Sequence, residues 1–147
     1  MLVAEIGLDM SAFPTSAHLA SWAGVCPGNH ASGGKRKGGR SRPGPKWLKV
    51  VLTEAAWGAV KAKGTYLSAH HMQIKGRAGG YKALGATRHD IVVAYWHIVH
   101  DHVPYRELGP DWATRRFSPA RRAKRLTAQL ETLGFEVSIE PAPTQPA

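Results

Sequence analysis

Over most of this chain the apolar residues recur at helical rather than strand spacing. Leu2, Val3 and Ile6 read as the last turn of a helix stopped by Gly7, an abrupt opening that leads us to expect missing sequence upstream. A short helix is expected over 15–23, with Leu19, Trp22 and Ala23 inward and Gly24 and Pro27-Gly28 closing it. A longer one is expected over 45–62. There Leu48, Val51, Leu52, Ala55 and Ala59 share a face, Lys46, Lys49 and Thr53 turn away, and Pro45 takes the first helical position. A stretch over 65–75 continues it after Gly64, Gly76 and Gly79-Gly80 mark a break, and Tyr81 to Leu84 form a short turn. Thr87 then caps a core helix over 88–102. Ile91, Tyr95 and Ile98 form one stripe of it, Val92, Trp96 and Val99 the neighbouring stripe, and Asp90, His97 and Asp101 the far side. Pro104 ends that helix, and residues 105–117 read as irregular. A last helix is expected over 119–133 with Leu126, Leu130 and Leu133 inward, stopped by Gly134. Residues 135–140 alternate like a short strand, and the Pro-rich 141–147 reads as a disordered tail.

Residues 28–45 break the pattern. They hold no apolar periodicity, and of these 18 residues six are glycine and five are Lys or Arg, which reads as a flexible cationic loop. The expected fold is mainly α: a compact helical domain with a basic Gly-rich loop, a C-terminal helix and one short strand. The expected organisation is a main domain over 1–112, a helix-plus-strand extension over 113–140 and a tail over 141–147.

Composition sharpens this. The 147 residues and 43% hydrophobic content suit one folded domain with an appendage. The formal charge is +10, and it is unevenly spread. Residues 1–34 carry two acids and no Lys or Arg, residues 35–88 carry 13 basic residues and one acid, Glu54, and residues 89–147 carry seven of each. The middle third therefore holds the whole excess, the footprint of a phosphate-backbone partner. The single cysteine, Cys26, excludes an internal disulfide framework and a multi-Cys zinc site. No apolar run approaches the ~18 residues of a membrane span, so no membrane role is expected. Residues 1–7 lack the charged and apolar regions of a secretion signal, which points to the cytoplasm.

The candidate chemistry centres on Ser32, in Ala31-Ser32-Gly33-Gly34-Lys35. A serine needs a base or metal to become a nucleophile. Flanking glycines admit close approach, and Lys35, Arg36 and Lys37 would stabilise charge on an attacked phosphate. Judged by chemistry alone, the same serine also reads as an ordinary loop residue. A P-loop fails because Asn29 stands where its first glycine belongs and Arg36 where Ser or Thr belongs. A nucleophile elbow fails because His30 precedes Ser32 by two. Ser32-x-x-Lys35 matches the serine–lysine pair of penicillin-binding enzymes, but Gly33-Gly34 opposes the helix that pair needs. Among eight histidines, His70 and His71 should diverge on a helix, while His97 and His100 could bring two metal ligands together, with Asp101 the only nearby carboxylate. Glu5, Asp9, Glu54, Asp90 and Asp101 are scattered, so no metal site is expected within this chain. Of the five tryptophans, Trp22 and Trp96 are expected in the core and Trp57 at a surface.

Leu19-Ala20-Ser21-Trp22-Ala23-Gly24-Val25-Cys26-Pro27-Gly28, followed by Ala31-Ser32-Gly33-Gly34-Lys35, Gly38-Gly39 and Trp47-Leu48, resembles the C-terminal domain of the DEDD-type insertion-sequence transposases, the RNA-guided bridge recombinases. Lys63-Gly64-Thr65-Tyr66-Leu67 and Pro104-Tyr105-Arg106-Glu107-Leu108-Gly109 fit the same pattern, and the resemblance covers nearly the whole chain. It implies a bacterial protein that moves an insertion sequence, with an N-terminal RNase H-like domain bearing four metal-binding carboxylates and a C-terminal domain bearing a serine nucleophile. It implies DNA as substrate, a structured bridge RNA as guide, and a homo-oligomer in the full-length form. The family serine maps onto Ser32, and Lys35, Arg36, Lys37, Arg40 and Arg42 map onto positions near nucleic acid. Lys46 and Lys49 join them as binding candidates. Pro43-Gly44-Pro45 departs from the family, which has a basic residue, Gly, then Asn or Asp. The four-carboxylate domain is not in this sequence. No cofactor is therefore expected in this chain, with Mg expected only alongside that domain, and the chain alone is expected not to cut DNA. The alternative reading is a non-catalytic basic nucleic-acid-binding module or an inactive transposase remnant.

Overall fold

The computed structural model describes residues 1–28, 30–37, 41–112 and 118–140, with the backbone alone at 30–32, 35–37 and 119. Two units form, Met1–Pro110 and Asp111–Ala147. The first contains α1 (Leu2–Ile6), α2 (Ser16–Trp22), β1 (His30–Ser32), β2 (Lys35–Lys37), α3 (Lys46–Lys61), α4 (Tyr66–Ala78) and α5 (Gly80–His100). The second contains α6 (Pro119–Thr132). The protein is mainly helical, as the periodicity predicts, and no helix among the described residues is long and apolar enough to cross a membrane.

The first unit's core forms where α2, α3 and α5 meet. Leu19, Ala20 and Ala23 from α2 and its C-cap, Leu48 and Leu52 from α3, and Val92, Tyr95 and Trp96 from α5 bury together. Burying one such aliphatic or aromatic side chain contributes about 1.5–3 kcal/mol. Two polar tips on α5 are satisfied by the N-terminal segment: the Tyr95 hydroxyl donates to the Gly7 carbonyl at 2.7 Å and the Trp96 indole to the Phe13 carbonyl at 2.8 Å. Thr15 caps α2 by accepting from the His18 N–H, and Thr65 caps α4 by accepting from the Ser68 N–H.

The structure corrects the sequence at several points. Gly76 does not break α4, which runs on to Ala78. The break is Gly79 alone, at φ +88°, a conformation only glycine adopts readily. The helix expected from 88 therefore starts at Gly80, and Thr87 is no cap. It is buried in the middle of α5, where its hydroxyl donates to the Ala83 carbonyl and meets Nδ1 of the buried His71 at 3.1 Å. Trp22 is 42% exposed and lies against Phe13 with ring centroids 5.3 Å apart, so it is not a core residue, whereas Trp96 is. Residues 135–140 form no strand, because no described segment offers a partner for their backbone groups. The strands lie instead in the basic loop, where polar residues give no apolar alternation.

In the second unit Ser118 caps α6 by accepting from the Arg121 N–H. Leu126, Leu130 and Leu133, expected inward, stay exposed, since nothing described in this unit covers them. The expected tail, 141–147, lies outside the described residues.

Candidate nucleic-acid interface

The basic segment starts from a tightly closed stem. At the end of α2, Gly24 adopts φ +66°, its N–H bonds to the Ser21 carbonyl, and the Val25 N–H bonds to the Ala20 carbonyl at 3.1 Å. This is the Schellman pattern, which turns the chain sharply out of the helix. The returning leg passes directly against that turn. A Cβ on Gly24 would lie 2.6 Å from the Arg42 carbonyl oxygen and 2.8 Å from the Gly44 nitrogen, and a Cβ on Gly44 would fall inside the Ala23 carbonyl. Backbone therefore rests on backbone, with no room for a side chain at Gly24 or Gly44. Pro45 sits one residue before α3 rather than at its first position. The Lys49 ammonium, on α3, donates to the Arg42 carbonyl at 3.1 Å and ties down the return leg.

Between the legs, β1 and β2 pair antiparallel, with Ser32 opposite Lys35, Ala31 opposite Arg36 and His30 opposite Lys37. Gly33 and Gly34 connect them at φ +56° and +75°. Positive φ at both central residues is the type I′ turn, whose twist suits a two-residue hairpin. By the alternation of a strand, positions 30, 32, 35 and 37 lie on one face of this ribbon and 31 and 36 on the other. Ser32 is thus the last residue before the turn and shares its face with Lys35. The side chains of Ser32, Lys35, Arg36 and Lys37 and the whole of Arg40 lie outside the described residues.

Of the other predicted binding residues, Arg42 and Lys46 are exposed and Lys49 is half-buried. Lys46 approaches the exposed Trp47 ring at 6.0 Å. Every ion pair between described residues joins a histidine to an aspartate, so no described Lys or Arg is neutralised by a described carboxylate. Sequence reasoning missed Arg88, whose guanidinium reaches Thr53 Oγ1 at 3.4 Å while its Nε is buried without a partner. It also missed a cleft of about 580 Å³ at the foot of the hairpin. Cys26 and Ser41, one from each leg, line it together with His70 from α4 and Tyr81, Lys82 and Asp90 from α5. These residues are far apart in sequence and carry no shared motif, so only the fold brings them together.

The titratable groups are arranged in local pairs. His70 Nδ1 meets Asp90 Oδ2 at 2.7 Å, and its ring stacks on Tyr66 at 5.3 Å. His71 faces Thr87 instead, so the two adjacent histidines do diverge. Burial, with a smaller contribution from Lys75, lowers the His71 pKa below its usual value. Asp101 accepts from both His97 Nδ1 and His100 Nδ1 at 2.7 Å, and these bonds, His97 first, lower its pKa. Those two imidazoles are thereby committed to a carboxylate. Glu107 accepts from the Tyr66 N–H at 2.7 Å and the Gly109 N–H at 2.9 Å; the Tyr66 bond leads in lowering its pKa. The Lys63–Leu67 and Pro104–Gly109 motifs therefore meet, joined by Glu107 at the first residue of α4. Among the described residues no three His, Cys, Asp or Glu side chains gather to hold a metal ion. Asp9, Asp90, Asp101 and Glu107 are each hydrogen-bonded within the chain.

The helical domain thus closes a cationic glycine hairpin on a backbone-to-backbone contact between Gly24 and the 42–44 segment. Residues 1–72 of the 147 match the family model for Transposase IS116/IS110/IS902 family. The match spans α1 to the first half of α4 and includes the hairpin. No curated protein and no solved structure matches the chain.

Proposed function

We propose that this chain is the DNA-engaging domain of a transposase and that Ser32 is its nucleophile. The observation that carries this reading is the hairpin register: Ser32 ends β1 directly across from Lys35, beside a turn of two glycines. A phosphate can approach such a turn closely, and a cation stands opposite the attacking position. In the reaction the Ser32 Oγ forms a bond to a DNA phosphorus while the bond from phosphorus to a deoxyribose oxygen breaks. That oxygen leaves with the electron pair and takes up a proton, and the serine proton passes to a base outside this chain. Lys35, Arg36, Lys37, Arg40, Arg42 and Lys46 hold the strand. Lys49 contributes charge while also fixing the return leg.

The divalent metal belongs to a separate carboxylate domain, a structured guide RNA selects the DNA, and the working form is a homo-oligomer. The test supplies that domain, Mg, the guide RNA and DNA, and looks for a protease-sensitive DNA adduct. An adduct carried by the native chain and lost in Ser32→Ala supports the reading; an adduct that persists in Ser32→Ala overturns it. A second reading, favoured by the absence of any three metal-ligating side chains gathered among the described residues, is a module that grips nucleic acid without chemistry. In that case Ser32→Ala leaves every activity unchanged, while charge reversal at Lys35, Arg36 and Lys37 abolishes binding.

A further inference from the structure

The cleft at the foot of the hairpin has the chemistry of a nucleotide site. Its volume of about 580 Å³ falls within the ~300–1,000 Å³ of ligand pockets. Tyr81 lines it and is 95% exposed, so this ring contributes almost no burial to the fold. Lys82 stands beside it with no described carboxylate in ion-pair range. Below them, His70 is fixed by its bond to Asp90 Oδ2 and by stacking on Tyr66. Asp90 Oδ1 is held less closely, with His89 Nδ1 4.0 Å away, and keeps room to accept a further donor. The walls at Cys26 and Ser41 are the two legs of the hairpin, so a strand following the basic segment is led into the cleft.

We infer that this cleft takes one unpaired nucleotide of a DNA strand. The base stacks on Tyr81, a base-edge N–H donates to Asp90 Oδ1, and Lys82 meets the adjoining phosphate. A paired base offers neither a free face nor a free edge, so the site discriminates against intact duplex. This inference rests on the reading that the basic segment engages DNA.

The experiment measures anisotropy of a short fluorescein-labelled oligothymidylate, and of a duplex of equal length, with the full chain over a salt series. Tyr81→Ala should weaken single-strand binding by about tenfold or more, the loss of one base–aromatic stack, without changing the salt slope. Tyr81→Phe should bind as the native chain does, because stacking needs the ring and not the hydroxyl. Lys82→Gln should lower the slope of log affinity against log salt by about one. Duplex binding should be unchanged by Tyr81→Ala. Circular dichroism establishes that the variants fold, which the exposure of Tyr81 leads us to expect. Unaltered single-strand affinity in Tyr81→Ala, an equal loss on duplex, or binding of oligouridylate but not oligothymidylate would each overturn the inference. If the native chain binds neither form of DNA at low salt, the reading beneath it fails and the inference falls with it.

Discussion

Replacing Gly44 with alanine tests the stem directly. The added methyl would fall inside the Ala23 carbonyl and lie 2.8 Å from the Gly24 nitrogen, and all the atoms it meets are backbone. Those atoms belong to the Schellman turn, so they cannot retreat without straining the Val25-to-Ala20 hydrogen bond. Forcing a methyl into filled space costs about 1–3 kcal/mol, and a weakened turn hydrogen bond adds about 0.5–1.5 kcal/mol. Reduced freedom of the unfolded chain returns about 0.4–1 kcal/mol. The net expectation is a destabilisation of about 2 kcal/mol, within a range of about 0.5–4 kcal/mol, or a fall in Tm of roughly 6–8 °C for a domain of this size. Gly24→Ala should lose more, since its φ of +66° adds a conformational penalty of about 1–2 kcal/mol. The double variant should be less destabilised than the sum, because one methyl already separates the legs that the other would push apart. Gly58→Ala is the control: it lies inside α3 with nothing within 4 Å of its Cβ position and should gain about 0.8–1 kcal/mol. Thermal unfolding followed by circular dichroism reads all four. A Gly44→Ala chain as stable as the native one, or strict additivity in the double variant, would refute a stem closed by backbone contact.

Tyr95→Phe deletes the donor to the Gly7 carbonyl and should cost about 1 kcal/mol in chemical denaturation, with no change in the denaturant slope. Glu107→Gln weakens the charged acceptor at the first turn of α4 and should cost about 1 kcal/mol, a loss that diminishes in high salt. Because the Glu107 pKa is lowered on folding, its contribution is present above the unfolded carboxylate range and is lost as pH falls through the folded value; unfolding curves of native and Glu107→Gln chains should converge in acid. His71 behaves in the opposite chemical sense with the same outward trend. Its pKa is depressed by burial, so the unfolded chain takes up a proton first, and stability should fall as pH drops below about 6.5 towards the folded value. His71→Gln should flatten that part of the pH profile.

The helices were legible because their apolar stripes are long. Leu48 and Leu52 in α3 and Val92 and Trp96 in α5 stand in the core where their spacing puts them. What misled the reading was local chemistry with two uses. Thr87 resembles a cap, yet its hydroxyl satisfies a helix carbonyl and a buried imidazole, so α5 continues through it. Gly76 resembles a break, but glycine inside a helix is only a weak penalty when packing holds the helix on both sides. Residues 135–140 alternate without a partner among the described residues, while residues 30–37 pair without alternating, since a ribbon held by its turn needs no apolar face. Gly33-Gly34 was the available signal for that hairpin. The stem was hidden for a different reason: a contact between Gly24 and Gly44 leaves no side-chain trace in the sequence. Pro43-Gly44-Pro45, which departs from the family pattern, holds the one residue type that fits there.

The way α5 holds the N-terminal segment bears on the order in which the protein forms as it is synthesised. Met10, Leu19, Leu48 and Leu52 all precede residue 73, yet their cover comes from Val92, Tyr95 and Trp96. The segment that matches the transposase family therefore leaves the ribosome without the surface that closes its core. Until α5 has been translated, Leu19, Leu48 and Leu52 lack the apolar surface that covers them in the folded unit. Closure of the core beneath the family-matched segment thus depends on residues that lie outside the match.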